Sequence, residues 1–221
     1  MKTISLTIDG KHIMAPEGAT LLDVALENGI YIPNLCHIRG VTPPPAACRL
    51  CFVEIEGYDR PVTACTEAVK EGMVVNTKGT AALRLARTGF ELLMATHPVD
   101  CAHCPINRRC ELQKIAAHLR VRLNSRRFRR LEHTLAVDES TSNLRYDPNK
   151  CVLCGRCIWV CRQRGAGILG FARRGFERKV TTFANTTLAE SGCTRCEECV
   201  QVCPAGAFVS TDGQNPKQES H

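Results

Sequence analysis

"CVLCGRCIWVC", residues 151–161, recurs with the same spacing as "CTRCEECVQVC", residues 193–203. Both stretches follow the pattern C-x2-C-x2-C-x3-C. A four-iron cluster needs one protein ligand for each iron, and two-residue gaps allow consecutive thiolates to bind three corners of one cube. The repeat therefore predicts two [4Fe–4S] clusters in this part of the chain.

The fourth cysteine of such a run ligates the other cluster in bacterial two-cluster proteins. This rule predicts two ligand sets: Cys151, Cys154, Cys157 and Cys203, and Cys193, Cys196, Cys199 and Cys161. Pro204 completes the usual C-P ending after the second run, whereas Arg162 follows the first. Paired zinc sites are the alternative, but zinc usually joins two C-x2-C elements across a longer loop.

Four more cysteines occur in the N-terminal part with the spacing C-x11-C-x2-C-x13-C. They are Cys36, Cys48, Cys51 and Cys65. Four thiolates can share the two irons of a [2Fe–2S] core, and the intervening GVTPPPAA has the small residues and prolines expected of a loop that wraps closely around a cluster. The first interval is longer than the plant-type x4, so zinc remains an alternative here.

Three cysteines lie between these groups, in "THPVDCAHCPINRRC", residues 96–110. They are Cys101, Cys104 and Cys110. A third cubane here needs a fourth ligand, and His97 precedes Cys101 in the spacing H-x3-C. Neutral histidine is an established ligand of iron–sulfur clusters. Spacing alone leaves open that His97 only ends a helix, that His103 or solvent fills the corner, or that a Cys3His set binds zinc.

The N-terminal part has the pattern of a small sheet with one helix. Residues 3–8 alternate, DGK at 9–11 indicates a tight turn, and a helix is expected over 21–28, with Thr20 as N-cap and Gly29 as the stop. Further strands are predicted at HIMA (12–15) and at 51–56, 60–64 and 73–77. These elements suggest a β-grasp-like domain.

The following parts change in character. Helical spacing begins at Thr80 and ends before Pro98, a second helix is predicted over 110–121, and residues 168–183 read as two strands around an Arg-Arg-Gly turn. The fold class is therefore α+β. The predicted division is a [2Fe–2S] ferredoxin-like domain at 1–78, a helical His/Cys3 [4Fe–4S] domain at 79–135, a two-[4Fe–4S] ferredoxin-like domain at 136–210, and a polar tail at 211–221.

The formal net charge of +7 suggests a polyanion partner until the fifteen cysteines are considered. Thiolates binding one two-iron and three four-iron cores would bring the net charge to about zero. Six arginines lie between Arg120 and Arg130, interleaved by a single aromatic, Phe128, which disfavours nucleic-acid binding. Three uses fit this segment: a solvated face, a surface for an acidic partner, or stabilisation of a nearby cluster.

Cysteine usage also predicts the compartment. An odd number of cysteines, arranged in short-spaced groups, argues against a disulfide framework. No signal peptide, initial twin-arginine pair or apolar run of about 18 residues is visible, so we expect a cytoplasmic protein without membrane insertion.

In this order, C-x11-C-x2-C-x13-C, H-x3-C-x2-C-x5-C and twice C-x2-C-x2-C-x3-C, the groups closely resemble one family. It includes the N-terminal electron-transfer region of the large iron–sulfur subunit of respiratory complex I and of iron-only hydrogenases, and the small diaphorase subunit of NAD-reducing nickel–iron hydrogenases. The resemblance covers residues 1 to about 210. It implies that His97 is a ligand, and hence that the chain binds one [2Fe–2S] and three [4Fe–4S] clusters.

The length of the chain makes it most similar to the stand-alone relay subunit of a soluble hydrogenase. The resemblance implies a hetero-oligomer in which electrons pass between a flavin- and NAD(P)-binding diaphorase subunit and the small and large hydrogenase subunits. Related short subunits occur with NAD-dependent formate dehydrogenases, complex I-like assemblies and electron-bifurcating complexes, and the sequence does not choose among them.

We expect no substrate chemistry and no flavin or NAD site in this chain. GAGILG at 165–170 satisfies G-x-G-x-x-G, but the strand before it and the helix after it that a dinucleotide site requires are not predicted. An alternative from a different class is a zinc-rich protein that binds nucleic acid through the arginine segment.

Overall fold

A computed structural model describes residues 2–131 and 134–211. These residues form two compact units. The first holds residues 2–91 together with His118–Val121, and the second holds Leu92–Ala117 and the described residues from Arg122 to Thr211. Both contain short helices and strands, as expected for a mixed α and β protein. Apart from Thr211, the predicted polar tail lies outside the described residues.

A five-stranded sheet forms the base of the first unit. Its strands are β1 (Thr3–Ile8), β2 (Lys11–Pro16), β3 (Phe52–Ile55), β4 (Val62–Thr63) and β5 (Val74–Asn76), in the order β2-β1-β5-β3-β4. β1 and β2 form an antiparallel hairpin, while β5 pairs parallel to β1 and antiparallel to β3. The five predicted strands are thus confirmed: β1 has the predicted bounds, β2 is one residue longer at each end, and β3, β4 and β5 are shorter than predicted.

Helix α1 (Leu21–Glu27) packs its apolar side into the core of this unit. Thr20 occupies the N-cap position as predicted, but its side chain makes no capping hydrogen bond. The chain leaves the helix through Asn28 and then Gly29, whose φ of +74° favours glycine.

Helices α2 (Thr80–Thr96) and α3 (Glu111–Leu119) confirm the two helices predicted in the middle of the chain. A carboxylate caps α2: Glu54 of β3 accepts hydrogen bonds from the backbone N–H groups of Ala81 and Ala82, at 2.9 and 3.1 Å. This arrangement satisfies two free donors of the first turn and places negative charge at the positive end of the helix. A Cβ at Gly79 would overlap that carboxylate.

The described part of the second unit contains two small sheets and two further α-helices. β6 (Leu144–Tyr146) pairs with β9 (Phe208–Ser210), and β7 (Gly170–Ala172) pairs with β8 (Lys179–Thr181), both antiparallel. The β7–β8 hairpin confirms the two strands predicted within 168–183. Helices α4 (Arg156–Arg164) and α5 (Glu198–Val202) begin inside the two cysteine runs and were not predicted. None of the helices in the described parts of the chain has the length and apolarity that crossing a membrane requires.

Candidate metal centres

The four N-terminal cysteines lie together in the first unit, and all four are buried. Cys51 and Cys65 form part of its hydrophobic core. The backbone N–H of Cys48 donates to Cys36 Sγ at 3.4 Å. Between Cys48 and Cys51, Arg49 has a φ of +55°, and a Cβ at Gly89 of α2 would lie only 2.7 Å from the Arg49 carbonyl oxygen. Helix α2 therefore packs directly on the loop that carries two predicted ligands.

These thiols interact in two pairs, and each pair holds one proton tightly. The hydrogen bond between Cys36 and Cys48 lowers the pKa of Cys36 to about 6 and, together with burial, raises that of Cys48. The bond between Cys51 and Cys65 likewise raises the pKa of Cys51 and lowers that of Cys65. Four buried thiolates need a positive centre to remain ionised, and a two-iron core would supply that charge. The donor set fits such a core.

The middle group lies in the loop between α2 and α3, within the second unit. His97 follows the last residue of α2, and Cys110 precedes the first residue of α3. One pocket is lined by the three cysteines, by His97 and by Lys150. Burial raises the pKa of Cys110 to about 11. The three thiols of the group and one imidazole thus share a single pocket.

The environment of the His97 imidazole fits a ligand role. Its Nδ1 is buried and has no hydrogen-bond partner. Burial lowers the pKa of His97 to about 4, and this effect outweighs a hydrogen bond with the backbone of Lys150, so the imidazole is neutral at neutral pH. Arg130 Nη2 donates to the His97 carbonyl oxygen at 3.1 Å. A neutral nitrogen beside three thiols fits an iron ligand.

His103, the other candidate in this stretch, lies outside that pocket. Its side chain is 85% exposed, and its Nδ1 pairs with Asp100 at 2.9 Å. The pocket residues include His97 but not His103. The ligand role of His97 stays a prediction, but the geometry favours it over His103.

The two C-terminal sets are brought together across the two runs. A pocket is lined by Cys161 of the first run and by Cys193, Cys196 and Cys199 of the second. In the other set, burial raises the pKa of Cys157, and the charges of the remaining three members raise it further. Burial also raises the pKa of Cys151 to about 12. The grouping matches the predicted exchange of fourth cysteines, although ligation itself remains a prediction.

The sequence repeat is also a backbone repeat. Leu153 and Arg195 both have φ near +55° and donate their N–H groups, at 3.4 Å, to the Sγ atoms of Cys151 and Cys193. Gly155 and Glu197 then take positive φ at the starts of α4 and α5. Non-glycine residues rarely adopt this conformation. It turns N–H donors toward sulfur, where they stabilise anionic thiolate and raise the potential of a bound cluster.

Tyr146 lies close to Cys151 and Cys157 of the first run, and the sequence pattern did not indicate this position. Its ring stacks on Phe208 at 4.3 Å between centroids, and its hydroxyl donates to the Val180 carbonyl oxygen at 2.8 Å. Burial raises its pKa, and the charges of Cys151 and Cys157 raise it further. No local signal could have found it, because its position depends on the pairing of β6 with β9.

The described residues also bear on two other kinds of site, a site for a single metal ion and a nucleotide site. Within residues 2–131 and 134–211, no three His, Cys, Asp or Glu side chains converge as they would on one metal ion. The glycine motif at 165–170 lacks a dinucleotide-binding context, because Gly165 follows the end of α4 and Gly170 begins β7.

Family comparisons agree with the cysteine groups. Residues 1–80 match a 2Fe-2S iron-sulfur cluster binding domain, residues 87–124 the NADH-ubiquinone oxidoreductase-G iron-sulfur binding region, and residues 150–207 a 4Fe-4S dicluster domain. The fold, the cysteine groups and these matches define an iron–sulfur protein with [2Fe–2S]- and [4Fe–4S]-binding domains.

Relatives narrow this class. The chain is 30% identical to the gamma chain of the NAD-reducing hydrogenase HoxS of Cupriavidus necator, covering 94% of this chain and 87% of that relative. It is 37% identical to the HndD chain of the NADP-reducing hydrogenase of Solidesulfovibrio fructosivorans and 36% identical to the alpha chain of the NADPH-Fe(3+) oxidoreductase of Geobacter sulfurreducens. Those alignments cover 95% and 94% of this chain but only 36% and 24% of these longer relatives.

A solved structure gives the same result. A chain of an NAD+-reducing [NiFe]-hydrogenase in the H2-reduced state superposes with a TM-score of 0.84 at 29% identity, covering 94% of this chain and 87% of that one. The chain belongs to the family of iron–sulfur subunits of NAD(P)-reducing hydrogenases, to which a subunit of the NADH-quinone oxidoreductase of Rhizobium meliloti is also related. The resemblance inferred from the cysteine spacing is confirmed.

Proposed function

We propose that this chain is a multi-cluster electron relay without substrate chemistry of its own. It would carry one [2Fe–2S] and three [4Fe–4S] clusters, and it would bind neither flavin nor NAD. The observation that carries the proposal is the grouping of potential ligands. Fifteen cysteines and His97, whose buried Nδ1 has no partner, supply four ligands to each of four centres.

The ligand sets follow the four groups. They are Cys36, Cys48, Cys51 and Cys65 for [2Fe–2S], and for the three [4Fe–4S] clusters His97, Cys101, Cys104 and Cys110; Cys151, Cys154, Cys157 and Cys203; and Cys193, Cys196, Cys199 and Cys161. We assign a β-grasp fold to 1–78, supported by the sheet order, a small helical domain to 79–135, and a bacterial ferredoxin-like fold to 136–210.

The protein's contribution is to hold these centres and set their potentials. Bound iron–sulfur clusters supply one-electron transfer. Burial of the first four thiols keeps water from that centre, and the N–H groups of Leu153 and Arg195 stabilise negative charge on sulfur. His97 brings a neutral donor where the other sites have thiolates, which favours reduction of the middle centre.

Electrons would pass between a flavin- and NAD(P)-binding subunit and the small and large subunits of a hydrogenase, in a cytoplasmic hetero-oligomer. The names of two relatives support both ends of this path, because each is a subunit of an NAD- or NADP-reducing hydrogenase. The same relay would serve an NAD-dependent formate dehydrogenase, a complex I-like assembly or a bifurcating complex.

Anaerobic co-purification of the tagged full chain from its own cells tests the proposal. We expect flavin, a pyridine-nucleotide-binding subunit and a nickel-containing subunit in the eluate. Molybdenum or tungsten in place of nickel would assign the chain to a formate dehydrogenase. A chain that purifies with zinc and nucleic acid, and without iron, would refute the relay.

A further inference from the structure

The β7–β8 hairpin and the turn after it, residues 170–183, expose an unusual amount of aromatic surface. We call this the hairpin segment. Phe171, Phe176 and Phe183 are 41%, 73% and 91% exposed, while the other four phenylalanines of the chain are half-buried or buried. Exposed phenylalanine rings gain free energy when they are covered, so three within fourteen residues offer apolar area to another molecule.

The same segment carries concentrated positive charge. Arg173, Arg174, Arg178 and Lys179 lie within it, against one acid, Glu177, which pairs with Arg173 at 3.1 Å. The Arg178 guanidinium stacks over the Phe171 ring at 4.0 Å. Aromatic and arginine side chains are the residue types enriched at the centres of protein interfaces. The surface is therefore complementary to an apolar pocket rimmed by carboxylates.

The hairpin segment also lies directly beside one of the cysteine runs. Gly155, between Cys154 and Cys157, would have its Cβ only 3.5 Å from the Phe171 ring. A partner that covered the segment would thus approach the loop that carries three predicted ligands. Electron transfer to a partner requires a short distance between a cluster of this chain and the redox centre of that partner.

We propose that the hairpin segment is a docking surface for a partner subunit of the electron-transfer complex, which presents an apolar pocket rimmed by acidic side chains. This rests on the proposed relay function. Phe176 and Phe183 anchor the contact, and the four cations orient it. Because charges at an interface act mainly on association rate and specificity, the contact is sensitive to ionic strength.

Photocrosslinking in the intact complex tests the contact. The probes are Phe176→p-benzoylphenylalanine and, as control, Met14→p-benzoylphenylalanine, because Met14 is 65% exposed but lies on β2. We expect a crosslink from position 176 to an Asp- and Glu-rich peptide of a partner subunit, with at least about tenfold higher yield than from position 14. No crosslink above the control, or a crosslink to a second copy of this chain, would overturn the proposal.

A double variant, Phe176→Ser with Phe183→Ser, measures the energetic role of the surface. Loss of two anchors should weaken association with the partner by about tenfold or more, while Met14→Ser leaves it unchanged. Arg174→Glu should weaken it mainly at low salt, and Arg84→Glu, on an exposed site of α2, is its control. Unchanged association for the double variant would refute the role of the phenylalanines.

Two further measurements identify the class of partner and the source of a failure. Binding of the isolated holo-chain to phosphatidylglycerol vesicles, if abolished in the double variant, would assign the surface to lipid and overturn the proposal. Iron content and dithionite reduction of the wild-type chain test the relay itself. A wild-type chain with full iron but no crosslink refutes docking alone, whereas a chain without iron refutes both.

Discussion

Replacing His97 with cysteine isolates the one neutral ligand in the proposed sets. The change would place an anionic sulfur where a neutral imidazole stands, so reduction of the middle cluster would add an electron beside one more negative charge. The position is poorly solvated, because burial is the largest cause that lowers the pKa of His97 from 6.5 to about 4.

The size of the effect follows from Coulomb's law. For two unit negative charges about 5 Å apart at an effective dielectric constant of about 20, the repulsion would be about 3.3 kcal/mol. For a one-electron couple this is about 140 mV. We therefore expect the midpoint potential of this cluster to fall by about 140 mV in His97→Cys.

The assay is an anaerobic redox titration of the full chain followed by electron paramagnetic resonance. His103→Ala is the matched control, because His103 belongs to the same loop but faces solvent and pairs with Asp100. That variant should leave every midpoint in place. An unchanged midpoint in His97→Cys, or an equal shift in His103→Ala, would refute the ligand assignment.

Three other predictions address packing and pairing. Glu54→Ala removes both hydrogen bonds to the first turn of α2 and should lower the free energy of unfolding by about 1–2 kcal/mol in denaturant titrations; no loss would contradict the capping role. Tyr146→Phe keeps the ring but removes the hydrogen bond to Val180, and should lower that free energy by about 1 kcal/mol; an equally stable variant would show that the bond adds nothing. Cys161→Ser should alter the resonance of the cluster predicted for the second run and spare that of the first run; the reverse pattern would rule out the exchange of fourth cysteines.

Much of the fold could be predicted because the relevant signals are local. Alternation in residues 3–8, the turn at 9–11 and the apolar spacing from Thr80 each lie within one segment, and β1, β2 and α2 formed as expected. β6 and β9 were missed because each has three residues, too few for an alternation signal, and about sixty residues separate them. Their pairing is what brings Tyr146 next to Phe208.

The helices within the cysteine runs were missed for a different reason. Glu197 stands at the start of α5 with a φ of +59°, and neither α4 nor α5 has a side-chain capping hydrogen bond. Sequence-based rules look for Ser, Thr, Asp or Asn at such a position. In contrast, the grouping of cysteines could be predicted from their spacing together with the ligand exchange of two-cluster proteins, because the geometry of a cluster restricts which intervals can reach it.

Lys150 illustrates what spacing could not indicate at the middle site. It is distant in sequence from the three cysteines, yet it lines their pocket, and its backbone forms a hydrogen bond with the His97 side chain. The three-cysteine loop also depends on a contact far along the chain, since the N–H of Glu111 donates to the Pro204 carbonyl oxygen at 3.2 Å. Such contacts appear only once the second unit is folded.

Metal stoichiometry is the sharpest test of a four-cluster relay. Iron, zinc and acid-labile sulfide should be measured on the anaerobically purified full chain, together with its Mössbauer spectrum. One two-iron and three four-iron clusters predict about 14 iron and about 14 sulfide per chain, with about one iron in seven in the two-iron component and no zinc. An iron content that stays at about 10 per chain would mean that one four-iron site does not exist. Zinc without sulfide would contradict the relay entirely.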